Sequence, residues 1–132
     1  MKKLIPLKTA GNIVLILFGL LLIFHILILL QALPSDMVWG GMAAEESADP
    51  VILETVALII TLLFMFIIAA KTGYFRKIRS GIVINIGVWI IFIYLLLNTL
   101  GNLASDVKVE NFIFAPLTII MALLTLRLAI EK

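Results

Sequence analysis

Residues 11–33 read GNIVLILFGLLLIFHILILLQAL, and only Asn12, His25 and Gln31 interrupt this apolar run. An α-helix rises 1.5 Å per residue, so a bilayer core of about 30 Å needs about 20 apolar residues. The run is long enough to cross a membrane as one helix. It also exceeds the roughly 7–15 apolar residues of a signal peptide, so we predict an uncleaved first membrane helix.

Three further apolar runs follow, at about 51–70, 81–103 and 111–130. Asp49 and Pro50 precede the second run, and these residue types favour the N-cap and the first position of a helix. The short segments between the runs leave no room for a globular insertion. We therefore predict an all-α membrane protein: one integral domain over residues 1–132, folded as a four-transmembrane-helix up-down bundle with short loops.

The composition supports this class and excludes several functions. Hydrophobic residues make up 64% of the chain and charged residues 14%, whereas about a quarter of an ordinary soluble domain is charged. Cysteine is absent, which excludes disulfides, thiolate metal sites and thiol redox catalysis. The single histidine excludes haem held between two histidines. No basic stripe with interleaved aromatics indicates nucleic-acid binding, and no motif indicates a cofactor.

Basic residues lie almost entirely on one side of the predicted bundle. Nine of the ten lysines and arginines fall at the N-terminus, between the second and third runs, or at the C-terminus; only Lys108 falls on the other side. By the positive-inside rule, both termini are expected in the cytoplasm. The segment LPSDMVWGG at residues 33–41 is then outside, on a face made acidic by several carboxylates. So strong a bias predicts a single topology rather than an antiparallel dual-topology dimer.

Small and polar residues at helical spacing predict the packed face of each helix, because membrane helices associate through close backbone approach and interhelical hydrogen bonds. In the fourth run the stripe is Asn111, Ala115, Thr118, Ala122, Thr125 and Ala129. In the third it is Gly87, Ile91, Tyr94, Asn98, Gly101 and Ser105. Weaker stripes are Glu54, Leu58, Thr61, Met65 and Ile68 in the second run, and Gly11, Phe18, His25 and Ala32 in the first. Pro116 should kink or loosen the start of the fourth helix.

Polar side chains from all four helices converge in the outer half of the bundle. Counted from the predicted helix ends at 1.5 Å per residue, His25 lies about 12 Å deep, Glu54 about 5 Å and Thr118 about 10 Å. Asn102, Asn98 and Tyr94 descend the third helix to about 13 Å. The cytoplasmic half has only a thin polar set, Asn12, Asn85 and Thr125. These depths predict a polar pocket that opens outward.

Each candidate also has a structural interpretation. His25 could be a neutral imidazole bonded to Asn98, Tyr94 or a carbonyl, and Glu54 could be an interfacial acid favoured by the helix dipole. Ionisable residues within a bilayer are nevertheless costly and often functional. Asn98 and Asn102 could form hydrogen bonds that hold neighbouring helices together. Trp39 suits an aromatic belt, or a loop folded over the bundle mouth.

Metal and nucleophile chemistry have little support. His25, Asp36 and Glu54 could supply three zinc ligands, but no histidine pair with metal-site spacing exists. Neither Ser35 nor Ser105 has a base placed beside it. We predict neither a metal nor catalytic residues.

Three sequence features together resemble a group of small, uncharacterised bacterial four-span membrane proteins. They are LPSDMVWGG after the first run, Glu54 early in the second, and LLNTLGNLAS at residues 96–105. The resemblance implies a location in the bacterial inner membrane and brings no activity with it. It also implies that one constellation is formed by Asp36, Trp39, Gly40, Glu54, Asn98 and Asn102.

The leading hypothesis is a binding module whose pocket holds a small ligand or a lipid headgroup from the extracytoplasmic side. The predicted ligand-binding residues are His25, Asp36, Trp39, Glu54, Tyr94, Asn98, Asn102 and Thr118. One alternative is a small proton-coupled transporter acting as a parallel homodimer, with Glu54 or His25 carrying the proton. Others are a lipid-modifying enzyme, for which no reaction-specific residues are found, and a ligand-free structural or partner-binding protein in contact with membrane lipids.

Overall fold

The computed structural model describes residues 5–30, 50–75, 81–105, 108 and 110–131. The described chain forms four α-helices: α1 (Leu7–Leu29), α2 (Pro50–Thr72), α3 (Ile82–Ala104) and α4 (Ala115–Ala129). A π-helical turn, Glu110–Phe114, leads directly into α4. No strand occurs in these ranges, which confirms the predicted all-α four-helix bundle.

All four helical segments are long and apolar enough to span a membrane, with the π turn and α4 counted as one. Their exposed surface is formed largely by Leu, Ile, Val and Phe side chains, which suit contact with lipid tails rather than water. The chain is therefore a multi-pass membrane protein.

The described helix ends differ from the predicted ends by a few residues. α1 begins at Leu7, four residues earlier than expected, directly after Pro6 in an extended conformation. The apolar run begins only at residue 11, but polar residues such as Lys8 and Thr9 do not interrupt a helix. α2 begins at Pro50 as expected.

Gly73 ends α2 through a positive φ of 115°. Its N–H donates to Ala70, and the N–H of Tyr74 donates to Ala69. This is the Schellman arrangement, in which glycine adopts the left-handed conformation without steric cost.

The helices alternate in direction, and each packs against two neighbours: α1 against α2 and α4, and α3 against α2 and α4. The bundle thus has two ends. The terminal end holds the start of α1 and α3 and the end of α2 and α4. The distal end holds the end of α1 and α3, the start of α2, and the π turn.

The predicted packed face of α4 is confirmed. Ala115, Thr118, Ala122, Thr125 and Ala129 are all buried, and Asn111 is half-buried. Met121 and Leu128 on an adjoining face are also fully buried, so α4 packs over a wider arc than the stripe alone suggested.

The predicted face of α3 needs correction. Ile91 is buried, but Tyr94 and Gly101 are exposed, and the buried line is Ile84, Val88, Ile91, Leu95 and Thr99. The prediction placed small and polar residues at the helix contacts. In α3 these contacts are instead made by aliphatic side chains, and several polar residues turn toward a cavity.

The weaker stripes of α1 and α2 are partly confirmed. Gly11, Phe18, Glu54, Thr61 and Ile68 are buried. His25, Leu58 and Met65 are half-buried, and Ala32 lies outside the described residues.

Lys71 ties three helices together at the terminal end. Its side chain is only 1% exposed, although the residue was expected in a loop. Its Nζ donates to Oδ1 of Asn85 at 2.5 Å and to the carbonyl of Glu131 at 2.6 Å. The lysine on α2 therefore fixes the start of α3 and the C-terminal end of α4.

Two further contacts join α1 to this end. Nε of Arg127 donates to the carbonyl of Ile5 at 2.6 Å, and Nη1 lies 3.1 Å from the Glu131 carboxylate. The hydroxyl of Tyr74 donates to Oδ1 of Asn12 at 2.6 Å. The expectation of a thin polar set at this end was wrong, because long basic side chains from the helix ends fold back into the bundle.

Close packing accompanies these hydrogen bonds. Gly11 lies against Thr72, and a Cβ atom at Gly11 would come within 2.0 Å of the Thr72 hydroxyl. That hydroxyl donates to the carbonyl of Ile68, so it is held in place. Hydrogen bonds and close packing thus join the described helices at the terminal end, and a cavity lies at the distal end.

Candidate functional site

A cavity of about 390 Å³ lies in the distal half of the bundle. Side chains from every helix and from the π turn contribute to its wall. The apolar and aromatic part of the wall consists of Phe18, Leu21, Phe24, Ala57, Tyr94, Leu95, Ala104 and Phe114. The remaining wall is formed by His25, Asn98, Gly101, Asn102, Ser105, Glu110 and Thr118.

His25 and Glu54 form an ionisable pair beside this cavity. Nδ1 of His25 lies 2.5 Å from Oε2 of Glu54, and Glu54 is only 1% exposed. His25 precedes the last residue of α1 by four positions, and Glu54 follows the first residue of α2 by four. Both residues therefore lie about 6 Å from the helix ends, at matching heights. The greater depth expected for His25 is corrected, because α1 ends at Leu29.

The pair determines how His25 faces a ligand. Nδ1 of His25 contacts Glu54. From the sequence, Asn98 or Tyr94 is instead the expected structural partner of this ring. A carboxylate at Nδ1 favours the proton on that nitrogen, which leaves Nε2 as the ring nitrogen for a molecule in the cavity. Glu54 does not line the cavity itself. It orients the histidine that does.

The amides of α3 lie on the opposite wall, where Asn98 and Asn102 both line the cavity. The backbone at the end of α3 is fixed by Asn111, whose Nδ2 donates to the carbonyls of Asn102 at 2.6 Å and Ser105 at 2.9 Å. Tyr94 is partly exposed, and its ring packs edge-on against Phe64 at 5.1 Å.

Thr118 joins α4 to α3 at the cavity wall. Its Oγ1 lies 2.8 Å from Oγ1 of Thr99, and both residues are buried. Thr99 was not predicted, because it lies one residue from the expected stripe of α3. The pair holds α3 and α4 together beside the cavity.

Glu110 is the principal cavity residue that sequence reasoning missed. It begins the π turn, lines the cavity and is only 5% exposed. From the sequence, Glu110 is expected among the acids of the outer surface. Its position at the start of an apolar run, next to Asn111, was the available signal.

Two aromatic rings close the wall beside this acid. Phe24 of α1 and Phe114 of the π turn meet edge to face, with ring centroids 5.1 Å apart. They join α1 to the start of α4 close to Glu110. The wall between these elements is therefore both aromatic and acidic.

The structure brings together His25, Tyr94, Asn98, Asn102 and Thr118 around one cavity, with Glu54 attached through His25. The other predicted site residues, Asp36 and Trp39, lie outside the described residues, as does Gly40. Within the described ranges, no three acidic or histidine side chains are placed to hold a metal ion.

No family model, curated protein or solved structure matches this chain.

Proposed function

We propose that this protein is a membrane-embedded binding module, which holds a small ligand or a lipid headgroup in the distal cavity. The observation that carries the proposal is the cavity of about 390 Å³, in which polar side chains from separate helices face an apolar and aromatic space. Ligand sites in proteins are typically concave, about 300–1,000 Å³, and mostly apolar with a few polar groups.

His25, Asn98 and Asn102 are the groups that bind the polar part of the ligand in this proposal. The two amides offer donors and acceptors, and His25 offers Nε2. Glu54 acts as a positioning residue, since its contact with Nδ1 sets the orientation of the ring. Thr118 supports the cavity wall through its contact with Thr99.

We further propose that the distal end faces the extracytoplasmic side of a bacterial inner membrane, with both termini in the cytoplasm. Along the sequence, nine of the ten basic residues fall near the N-terminus, between the second and third apolar runs or near the C-terminus, and the positive-inside rule retains such segments in the cytoplasm. A ligand then reaches the cavity from outside or from the outer lipid leaflet. Thiol labelling of a Lys77→Cys variant tests the orientation. We expect the introduced cysteine to react only with reagent on the cytoplasmic side.

Thermal unfolding of the purified protein against a panel of small ligands and lipids tests the binding proposal. We expect selected compounds to raise the Tm of the wild type and to lose this effect in the His25→Ala/Asn98→Ala double variant. The matched control is Ile23→Ala/Leu100→Ala, which alters exposed apolar side chains on the same two helices. If no compound stabilises the wild type selectively, the bundle is a ligand-free structural or partner-binding protein.

The His25–Glu54 pair favours one second candidate, a proton-coupled transporter that acts as a parallel homodimer. An ionisable pair within a membrane span is a typical proton relay. Four helices seldom enclose a complete path, and Lys71 and Arg127 bridge the described segments at the terminal end of this bundle. A monomeric mass in nanodiscs would contradict this candidate and leave the binding module standing.

A further inference from the structure

We propose that the distal cavity takes an amphipathic organic cation, meaning an ammonium group attached to an apolar body. The inference rests on the proposed function, because it names the ligand class of the same cavity. It follows from the charges on the wall, from the aromatic rings beside them, and from the apolar surface between.

The charged groups of the cavity wall favour a cation. Glu110 lines the cavity and is buried, and a second acid, Glu54, is attached through His25. No lysine or arginine is among the described residues that line the cavity. A phosphate or carboxylate ligand would therefore meet acids and no cationic side chain, at considerable desolvation cost.

The aromatic rings strengthen the same preference. Phe18, Phe24, Tyr94 and Phe114 all contribute to the wall. The face of an aromatic ring is electrostatically negative, and it attracts an ammonium group within about 6 Å of the ring centre. Phe114 ends the π turn that Glu110 begins, and it contacts Phe24 across the helix interface. An ammonium group next to Glu110 is thus close to both rings and to a carboxylate.

The rest of the wall suits the apolar body of such a ligand. Leu21, Ala57 and Leu95 lie toward the middle of the bundle, away from the π turn. A ligand with its ammonium group near Glu110 and its hydrocarbon part toward Leu95 matches both regions. The ammonium could belong to a free hydrophobic amine or to the headgroup of an amine-containing lipid.

Three probes with the same body and different charges test this inference. They are 4-phenylbutyltrimethylammonium, the neutral 4-phenylbutanol and the anionic 4-phenylbutanesulfonate. Each is titrated onto the full-length protein in phosphatidylglycerol nanodiscs, and empty nanodiscs correct for partitioning into the bilayer. We expect the cation to bind at least about tenfold more tightly than either analogue, as for a charge-assisted contact.

Two variants locate the contact. Glu110→Gln keeps the size of the side chain and removes its charge, so the affinity for the cation should fall about tenfold. Phe114→Leu keeps an apolar side chain and removes the ring, and should weaken cation binding about threefold. Glu131→Gln removes an acid at the terminal end and should leave the affinity unchanged. The Tm of each variant shows that it is folded.

The outcomes separate this inference from the function on which it rests. Equal binding of the alcohol and the cation would overturn the inference and support a ligand cavity of another specificity. Preference for the sulfonate, or binding of the cation that Glu110→Gln leaves intact, would also overturn it. Absence of binding by all three probes would overturn it too, while the wider ligand panel still decides the proposed function.

Adding phosphatidylethanolamine to the nanodiscs distinguishes the two sources of the ammonium group. If this lipid lowers the apparent affinity for the cationic probe, the headgroup competes for the cavity. If it does not, the cavity selects a free amine. Either result supports the cationic ligand class, provided that Glu110→Gln abolishes the preference.

Discussion

At the terminal end of the bundle, Lys71 donates to the backbone carbonyl of Glu131 and Arg127 donates to that of Ile5. The first bond joins α2 to the segment after α4, and the second joins α4 to the segment before α1. At the distal end, His25 and Glu54 bond to each other beside a cavity. Both ends contain buried charged groups. At the terminal end these groups donate hydrogen bonds to backbone carbonyls of neighbouring segments, whereas at the distal end they contact each other beside a cavity.

This contrast shows how a small membrane protein can assign stability to one end of its bundle and a binding cavity to the other. Buried charges are costly in a bilayer, and their hydrogen bonds must offset that cost. At the terminal end, two bonds to backbone carbonyls and one to the Asn85 side chain join segments of all four helices. The distal end can then carry a cavity and an ionisable pair without loss of the fold. Substitutions at the two ends test this division.

Removing one member of the ionisable pair should have the largest effect on stability. In His25→Leu, buried Glu54 loses its histidine partner, and breaking a buried pair typically costs about 3–5 kcal/mol in the free energy of unfolding. In the double variant His25→Leu/Glu54→Leu both polar groups are gone, so most of this loss should be recovered.

Unfolding in mixed micelles measures both His25 variants, and the ligand panel applied to the double variant completes the test. A stable double variant that no longer binds ligand would assign the pair to function. If the double variant is as unstable as the single one, the distal pair also fastens the fold, and the contrast between the ends fails.

Lys71→Met should lower the free energy of unfolding by about 2–3 kcal/mol, because Asn85 and the Glu131 carbonyl lose a buried donor. Lys8→Met is the matched control at the same end, since Lys8 is exposed and only lies over the Tyr74 ring at 5.0 Å. Its loss should stay at about 0.5–1 kcal/mol. Equal losses in the two variants would show that burial of Lys71 does not fasten the helices.

Gly11→Ala should cost about 1–2 kcal/mol, because its new Cβ atom would collide with Thr72. Gly101→Ala is the control at the distal end, where a Cβ atom meets nothing within 4 Å, and it should cause no loss. The double variant Gly11→Ala/Thr72→Ala should recover part of the stability that Gly11→Ala loses, because the nearest atoms of Thr72 are removed. Thermal unfolding of the wild type and of these three variants checks this. A loss of stability confined to Gly101→Ala would reverse the comparison.

Thr99→Val should have the smallest effect, about 0.6 kcal/mol, the average contribution of an interhelical hydrogen bond in a membrane. This substitution removes the bond to Thr118 between α3 and α4. Thr61→Val is matched to it, since the Thr61 hydroxyl donates only within its own helix, to Ala57. A larger loss in Thr61→Val would show that the Thr99–Thr118 contact contributes no net stability.

The sequence predicted the helices and the packing of α4 well, because both depend on local patterns. Four long apolar runs leave little alternative to four spans, and the small residues of α4 repeat at helical spacing over most of its length. On α3 the same rule chose the wrong face, since Tyr94 and Gly101 lie away from the helix contacts. A polar residue in a membrane helix can face another helix or a cavity, and spacing alone does not distinguish the two.

The polar contacts were less predictable than the helices. The convergence of His25, Asn98 and Thr118 toward one end followed from depth, but the pairing of His25 with Glu54 depends on how α1 and α2 are rotated. Lys71 was assigned to the loop after the second span and Arg127 to the C-terminal end of the fourth, because charge normally marks a helix end. Their long side chains reach backbone carbonyls next to the ends of other helices, and such contacts are set by the tertiary fold.

The π turn at Glu110–Phe114 has a consequence for insertions and deletions in this region. A π turn accommodates one residue more than the regular helical repeat. Loss of a single residue within the turn would restore the α repeat, and the segment before it would keep nearly the same rotation relative to α4. The acid at its start would then stay on the side of the bundle that bears the cavity while the alanines and threonines of α4 kept their places, so this region can lose one residue and preserve both the carboxylate position and the bundle.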